Sequence, residues 1–445
     1  MSNTGRVVPA IVVRGGRVID PASGVDGVHD LYLRDGRIAA LDHPPAGFHA
    51  DREIDANGSW VFPGLVDLCA RLREPGQEHK ATIASETAAA VRAGITTLCC
   101  PPDTQPVIDT PAVVELIRQR AELPGRARVF TLGALTRGLE GNQLSEMAAL
   151  KAAGCVGVSN GWQPLASTLV LRRALEYAAT FDLTVFLHPE DPYLHDGGCA
   201  HEGAVATRLG LPGIPEAAET AAVASALALI EQTGVRAHFC RLSTARAVQM
   251  VARARHDGLP ISADVCAHQL FLTETDLAEF NSQYHVRPPL RTVRDRDGLR
   301  AGVARGTIAA ICSDHQPHEP DAKLAPFPAT APGISALETL LPLTLRQVHE
   351  GGLDLPTAIA RVTVGPAQIL GLPYGTLGTG RAADLCILDP ERPWRLGPRA
   401  MASHGLNTPF LGWEFTGQVT HTLVAGRVVF EAEAELEAVA EARRP

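Results

Sequence analysis

Nine polar or charged residues that could carry chemistry lie where apolar runs of this sequence end. They are Cys69, Arg71, Arg73, Asp103, Asn160, His188, Arg241, His268 and Asp314. Cysteine, histidine and aspartate are metal ligands, and a catalytic zinc site needs at least three protein ligands with one position left open. Arginine cannot take that role, because its guanidinium stays protonated and offers hydrogen-bond donors without a lone pair. The set therefore places metal-ligand types beside fixed positive charges.

The apolar runs that precede these residues have the composition of buried β-strands. They cover residues 61–69, 94–100, 127–135, 155–160, 184–189, 236–243, 260–268 and 306–315. Helical patterns separate them, for example over 110–121, 166–181 and 216–232, and this alternation predicts parallel strands buried on both faces. Eight such units predict an α/β fold, the (β/α)8 or TIM barrel. Strand ends and the loops after them form the site face of that barrel, so the polar residues should meet there.

The two ends of the chain differ from this pattern. Residues 1–60 and 373–445 contain short strands and turns, whereas residues 61–372 carry the alternation of strands and helices. We predict that the two ends meet as one small β-sandwich beside the barrel. Residues 431–444 are expected to form a terminal polar helix or a frayed tail, and the Pro-rich stretch 317–332 a long loop.

Composition and charge argue against several classes of protein. Hydrophobic residues make up 45% of the 445 residues and charged residues 20%, which is typical of globular proteins. The net charge of −9, without a basic block, argues against a nucleic-acid partner. No apolar run reaches the roughly 18 residues of a membrane span, and the start lacks the apolar core of a signal peptide, so we expect a cytoplasmic protein. The nine cysteines contain no Cys-x-x-Cys pair and are expected to be small buried hydrophobes.

One segment resembles the opening motif of the dihydroorotases. Residues 62–76 read FPGLVDLCARLREPG, where that family has a buried strand ending in His-x-His and continuing Leu-Arg-Glu-Pro-Gly. Cys69 and Arg71 occupy the two histidine positions. Further stretches similar to the family are residues 72–80, 106–111, 188–192, 208–215, 288–291, 313–318 and 407–410. The resemblance covers nearly the whole chain and implies a barrel of the metal-dependent hydrolase type.

Active dihydroorotases bind one or two zinc ions and interconvert carbamoyl aspartate and dihydroorotate. The resemblance places the family's metal-ligand positions on Cys69, Arg71, Asn160, His188, Arg241 and Asp314. Only His188 and Asp314 keep a ligand type that the family uses, so we expect no bound metal or other cofactor. In active members the aspartate shuttles a proton for a metal-bound hydroxide. We hypothesise that Arg71 and Arg241 replace the metal charge and pair with Asp314; the alternative is drift, with both arginines extending out of the barrel mouth.

Positions that hold the substrate in the family have also changed. Arg73 keeps the place of the arginine that binds the substrate carboxylate, although pairing with Glu74 or a loop carbonyl is an equal alternative. Asp103 stands where the family has asparagine, and its carboxylate would repel that of the substrate. Arg287 replaces a second asparagine, while His268 remains. The joint loss of metal ligands and substrate contacts suggests that selection on the reaction has ended.

The sequence closely resembles the inactive dihydroorotase-like chains with which some bacterial aspartate carbamoyltransferases assemble. This resemblance predicts a non-catalytic structural subunit of that enzyme in de novo pyrimidine biosynthesis, with six copies joined to six catalytic chains. The alternative is an active amidohydrolase that acts on another cyclic amide or ureide. Its site would be a rebuilt metal site or a cysteine site of Cys69, His188 and Asp314. A third possibility is an anion sensor that uses the arginines of the mouth, Arg71, Arg73, Arg241 and Arg287.

Overall fold

Five strands open the part of the chain that the structure describes, residues 8–432 of a computed structural model. They are β1 (Ile11–Asp20), β2 (Val25–Arg34), β3 (Arg37–Leu41), β4 (Arg52–Asp55) and β5 (Trp60–Pro63). β1 pairs antiparallel with β2, and the register shifts between Val13 and Gly16. Gly15 lies in this irregularity with φ +67, a conformation that favours glycine because side chains rarely tolerate it.

Eight parallel strands form the predicted barrel, which confirms the fold class. They are β6 (Leu65–Asp67), β7 (Ile95–Cys100), β8 (Arg128–Ala134), β9 (Gly157–Ser159), β10 (Val185–Leu187), β13 (Ala237–Phe239), β14 (Ile261–Cys266) and β15 (Ala310–Cys312). They pair in chain order, and a parallel bridge between Ala70 and His315 joins the last strand to the first. The two-residue strands β11 (Ala200–His201) and β12 (Gly213–Ile214) pair separately, in the segment between β10 and β13.

Helices occupy most connections between the barrel strands. They are α1 (Ile83–Arg92), α2 (Pro111–Glu122), α3 (Met147–Ala152), α4 (Thr168–Thr180), α5 (Pro192–His195), α6 (Ala204–Leu209), α7 (Glu216–Thr233), α8 (Ala245–His256), α9 (Val293–Ala304), α10 (Leu337–His349), α11 (Leu355–Val362) and α12 (Val364–Leu370). The predicted helices 110–121, 166–181 and 216–232 correspond to α2, α4 and α7. Local sequence sets several starts: Ser167 caps α4 by accepting from the Val170 amide, and α2 begins at a proline. Within residues 8–432, no helix combines the length and apolarity that crossing a membrane requires.

Both ends of the chain contribute to one further sheet. The last strands are β16 (Leu385–Arg395), β17 (Glu414–Val424) and β18 (Arg427–Glu431). The order is β18-β17-β16-β5-β1-β2-β3, with β4 also paired to β1. The two ends of the chain therefore meet beside the barrel, as predicted, and they form one hydrogen-bonded sheet because β5 pairs both with β1 and with β16. Ile38, Leu385 and Leu423, from distant strands of it, share one apolar cluster.

Two predicted segments need separate comment. The stretch 317–332 is mostly irregular, as expected, but contains short 3-10 turns at Pro320–Lys323 and Phe327–Ala329. The predicted boundary between residues 60 and 61 falls inside β5, which belongs to the terminal sheet. The predicted tail, residues 431–444, lies outside the described residues beyond position 432.

Candidate functional site

Sharp turns at the ends of the barrel strands bring the predicted site residues together. Arg73, Arg241 and Asp314 have φ angles of 64°, 56° and 47°. Residues other than glycine seldom adopt positive φ, and such conformations concentrate at functional sites, where the surrounding structure enforces them. The turns after β6, β13 and β15 place Cys69, Arg71, Arg241 and Asp314 in mutual contact.

Asp314 is the centre of this contact. Its Oδ1 accepts from Arg71 Nη1 at 3.2 Å and from the Cys69 thiol at 3.3 Å, and Arg241 Nε lies 3.6 Å away. Its Oδ2 accepts from Gln316 Nε2 at 3.0 Å. The side chains of Arg71, Arg241 and Asp314 are only 7%, 6% and 2% exposed. The predicted pairing of both arginines with Asp314 is confirmed, and the alternative of arginines extending into solvent is wrong.

Arg71 also binds a second carboxylate. Its Nε donates to Asp103 Oδ2 at 2.8 Å. Burial favours the neutral form of Asp103, but the adjacent guanidinium of Arg71 outweighs it and lowers the pKa of that carboxyl below its usual value. Asp103 therefore serves the arginine cluster, in a position where the sequence suggested only repulsion of a substrate carboxylate.

Cys69 remains a thiol in this surrounding. Arg241 Nη1 donates to its sulfur at 3.1 Å. Burial nevertheless raises the pKa of the Cys69 thiol well above its usual value, and the positive charge of Arg241 does not reverse this. His188, the expected base of a cysteine site, contacts Glu190 at 3.2 Å, and no hydrogen bond joins it to Cys69 in residues 8–432. The arrangement does not assemble an activated Cys–His–Asp nucleophile.

Trp162 covers the cluster and was missed by the sequence analysis. Its ring stacks on His188 with centroids 5.0 Å apart. The guanidinium carbons of Arg287, Arg71 and Arg241 lie 4.6, 5.3 and 5.8 Å from the ring centroid. Cations over an aromatic face are attracted by its quadrupole, by about 0.5–2 kcal/mol each. A tryptophan two residues after a strand-end position was the signal available in the sequence.

Glu190 fixes the remaining side of the mouth. It accepts from Arg287 Nε at 2.7 Å and from His188 Nε2 at 3.2 Å. Burial opposes its charge, yet the contacts with His188 and Arg287 lower the pKa of Glu190 to about 2. Burial lowers the pKa of His188 below its usual value. Asn160 is held by other groups, since its side chain accepts from the Thr136 hydroxyl and donates to a backbone carbonyl.

Arg73 and His268, the remaining substrate positions, have different surroundings. Arg73 Nε donates to the carbonyl of Pro317 at 2.9 Å, so the loop-carbonyl alternative is the observed one. His268 is 3% exposed, neither ring nitrogen has a hydrogen-bond partner in the described part of the chain, and burial lowers its pKa to about 4. A cavity of about 10 Å³ between Arg71, Arg73 and Asp103 holds about one water molecule at most.

Comparison with known proteins identifies the family of this chain and supports the barrel fold. Residues 58–247 match the family model described as dihydro-orotase-like, and residues 336–430 match that of the amidohydrolase family. A dihydroorotase-like protein of Pseudomonas putida is 55% identical over 418 residues, covering 94% of this chain and 98% of the relative. The chain belongs to the dihydroorotase-like amidohydrolase family. A dihydroorotase of Anaeromyxobacter sp. (strain K) is 45% identical over 423 residues, with 95% and 98% covered. An L-hydantoinase from Arthrobacter aurescens superposes with a TM-score of 0.84 at 25% identity, over 95% and 96% of the two chains.

The residues at the metal positions of this dihydroorotase-like chain do not fit zinc. Arg71 and Arg241 both direct guanidinium nitrogens at Asp314, so a cation bound to that carboxylate would face two fixed positive charges. Two like charges about 4 Å apart repel by about 4 kcal/mol at an effective dielectric of 20. Asn160 is held by hydrogen bonds, whereas His188 Nδ1 has no hydrogen-bond partner within residues 8–432. His188, Cys69 and Asp314 are therefore the ligand types left, and both the Cys69 sulfur and the Asp314 carboxylate already contact a guanidinium.

A second group of ligand-type residues lies deeper in the barrel. Potential ligand atoms of His238, Cys240 and Asp264 lie within 4.8 Å of one another, and all three residues are buried. Both imidazole nitrogens of His238 are already used, one with Ser262 Oγ at 2.8 Å and the other with Asp264 Oδ2 at 2.9 Å. Asp264 also accepts from the backbone N–H of Arg241. This group is a satisfied hydrogen-bond network that supports the turn at Arg241.

Proposed function

We propose that this chain is a non-catalytic member of the dihydroorotase-like amidohydrolase family and a structural subunit of a cytoplasmic aspartate carbamoyltransferase complex. One observation carries the first half of the proposal. The carboxylate of Asp314, which shuttles a proton in active members, is enclosed by the guanidinium groups of Arg71 and Arg241.

The two arginines replace the positive charge that a metal ion would place beside Asp314. A buried aspartate without a partner is costly, and two arginines supply the positive charge that a cation would otherwise provide. Because a guanidinium has no lone pair and no vacant coordination position, it can neither bind a hydroxide as a metal does nor accept a proton. The replacement preserves the packing of the barrel mouth without its hydrolytic chemistry.

The cover over the cluster supports the same conclusion. Trp162 lies against His188 and three arginines, and the side chains of Arg71 and Asp314 beside it are only 7% and 2% exposed. The arginines are also engaged with Asp103, Asp314 and Glu190, which argues against the anion-sensor alternative.

The partner in this proposal comes from the resemblance to inactive chains that assemble with aspartate carbamoyltransferase. The chain has a complete barrel and a dense core although the metal ligands are lost. A structural role in a complex requires the fold but not the ligands, so it is consistent with this combination. Six copies joined to six catalytic chains is the stoichiometry that the resemblance implies. In this role the chain contributes to pyrimidine biosynthesis through its partner.

Two measurements on the untagged protein test the two halves of the proposal. We expect far less than one metal ion per chain by elemental mass spectrometry after growth in added zinc, and no conversion of dihydroorotate. The Asp314→Asn variant is the matched control, because activity that persists in it comes from a contaminant. Stoichiometric metal with Asp314-dependent turnover would contradict the proposal and favour an active amidohydrolase.

The partner is tested with separately purified aspartate carbamoyltransferase catalytic chain. Light scattering behind size-exclusion chromatography should show a stable complex with both chains in equal number. Two unchanged separate peaks at micromolar concentrations of both proteins would contradict the structural-subunit role.

A further inference from the structure

Two neighbouring loops carry an exposed apolar surface near the barrel mouth. The first loop spans residues 278–281 and the second residues 320–329; together they are called the loop surface. Phe280 is 48% exposed and Leu324 is 78% exposed. Further exposed apolar residues of these loops are Ala278, Pro320, Ala325, Pro326, Pro328 and Ala329. Single exposed apolar residues are normal, whereas a continuous group of them marks an interaction site.

Hydrogen bonds hold the two loops together. Ser282 Oγ donates to the carbonyl of Lys323 at 2.7 Å. The Lys323 side chain is buried and its Nζ donates to the carbonyls of Ala331, Ser282 and His285 at 2.7, 3.2 and 3.4 Å. Phe327, also buried, packs on the ring of His285 with centroids 4.9 Å apart. The loop surface is therefore pre-organised, and a partner would bind it without first ordering it.

Phe280 has a backbone conformation that does not suit its side chain. Its φ is +53°, in the left-handed region where asparagine and glycine are favoured and a bulky residue is an outlier. Such a conformation costs on the order of 1–3 kcal/mol. The aromatic ring is half exposed, so it does not gain this energy back by complete burial in the chain itself. A backbone outlier whose aromatic side chain is half exposed points to a role for that side chain outside the monomer.

Charge identifies the kind of partner that this surface fits. Residues 274–284 and 319–332 contain the acidic residues Glu274, Asp276, Glu279, Glu319 and Asp321. Lys323 is the one lysine or arginine in these two segments, and its ammonium is turned into the loop. Glu279 and Asp321 are exposed and form no ion pair with any part of residues 8–432. The exposed apolar residues are thus bordered by carboxylates free to meet basic side chains.

We infer that the loop surface is the docking site for a folded protein partner that presents apolar side chains bordered by lysine or arginine. The inference rests on the proposed function, because the aspartate carbamoyltransferase catalytic chain is the partner used to test it. Phe280 and Leu324 supply the apolar contact, and Glu279 and Asp321 supply the charges that orient the approach. The closed barrel mouth and the loop surface lie on the same side of the barrel, since both follow the carboxyl ends of its strands.

The test compares the binding of full-length variants to the purified catalytic chain by isothermal titration calorimetry. The double variant Phe280→Asn, Leu324→Ser removes the apolar contact, and asparagine suits the positive φ at position 280. Leu123→Ser is the matched control, because Leu123 is 79% exposed on a different part of the barrel, just after α2. We expect the double variant to weaken Kd by about 30-fold or more and the control to leave it unchanged.

The charge contribution is tested separately with Glu279→Lys, Asp321→Lys. This variant should bind more weakly than the wild type at low salt, with the difference shrinking as salt is added. If the wild type binds and both double variants bind like Leu123→Ser, the docking site is wrong while the proposed function stands. If the wild type does not bind the catalytic chain, the proposed function and the assigned partner both fail. Self-association that the loop variants abolish would assign the surface to a second copy and overturn the inference.

Discussion

Replacing Asp314 by asparagine tests the arginine cluster most directly. The substitution keeps the shape of the side chain and removes the negative charge that Arg71 and Arg241 share. At the observed separations of 3.2 and 3.6 Å, each attraction amounts to about 5 kcal/mol at an effective dielectric of 20. Most of this offsets the cost of burying the charges, so the measurable loss is that of breaking a buried pair, about 3–5 kcal/mol. Arg71 keeps Asp103, whereas Arg241 keeps no ion pair within residues 8–432, so we expect about 4 kcal/mol.

The expected loss can be read as a shift in melting temperature. Unfolding entropy is about 2.1 cal/mol/K per residue, which gives about 0.9 kcal/mol/K for 445 residues. A loss of about 4 kcal/mol therefore lowers Tm by about 4 °C. The matched control is Asp182→Asn, because Asp182 pairs with Arg236 at 2.8 Å while both side chains are more than half exposed.

This prediction is tested by measuring Tm of the wild type, Asp314→Asn and Asp182→Asn by circular dichroism at pH 7. The control should shift Tm by no more than about 1 °C, since exposed ion pairs contribute less than about 1 kcal/mol. Equal shifts for Asp314→Asn and Asp182→Asn would refute the view that the two guanidiniums depend on Asp314.

Three further predictions concern Trp162, which lies over the arginine cluster, and the buried residues His268 and Lys323. Trp162→Ala should increase the rate at which a maleimide labels Cys69, because the mouth is uncovered; an unchanged rate, measured against Cys69→Ser, would contradict the covering role. The pKa of His268 is about 4 in the folded protein, below that in the unfolded chain. The free energy of unfolding should therefore fall by up to about 3 kcal/mol as pH drops from about 6.5 to 4. In His268→Gln, the free energy of unfolding measured in urea should change less over that pH range. Burial lowers the pKa of Lys323 to about 7, so its contribution should make stability rise between about pH 7 and 10.5; Lys323→Met should remove that rise, and a parallel profile would argue against the buried ammonium.

The barrel could be predicted because its determinants are local. Parallel strands buried on both faces appear as apolar runs, and the helices between them have their own periodicity and caps. The terminal sheet could not be predicted as well, because its order depends on β5 pairing with β16, which lies more than 300 residues away in the chain. Local pattern identified the strands at both ends and their meeting beside the barrel, but not the order in which they pair.

At the candidate site, too, one part could be predicted from the sequence and another part could not. The presence of Arg71 and Arg241 in place of ligands follows from residue chemistry alone, since no surrounding gives a guanidinium a lone pair. That Cys69, Asp103 and Asp314 surround these arginines depends on turns whose positive φ angles no residue pattern revealed.

By itself, the sequence determined the eightfold alternation of strand and helix and the loss of metal-ligand chemistry at Arg71 and Arg241. Both follow from properties of the residues themselves, namely the spacing of apolar residues and the permanent protonation of guanidinium. Only the tertiary structure decided that Trp162 lies over the arginines, that Glu190 holds Arg287, and that Lys323 joins two exposed loops. These contacts unite segments far apart in the chain, and their geometry depends on the distances between strand ends around a closed barrel, which no local pattern contains.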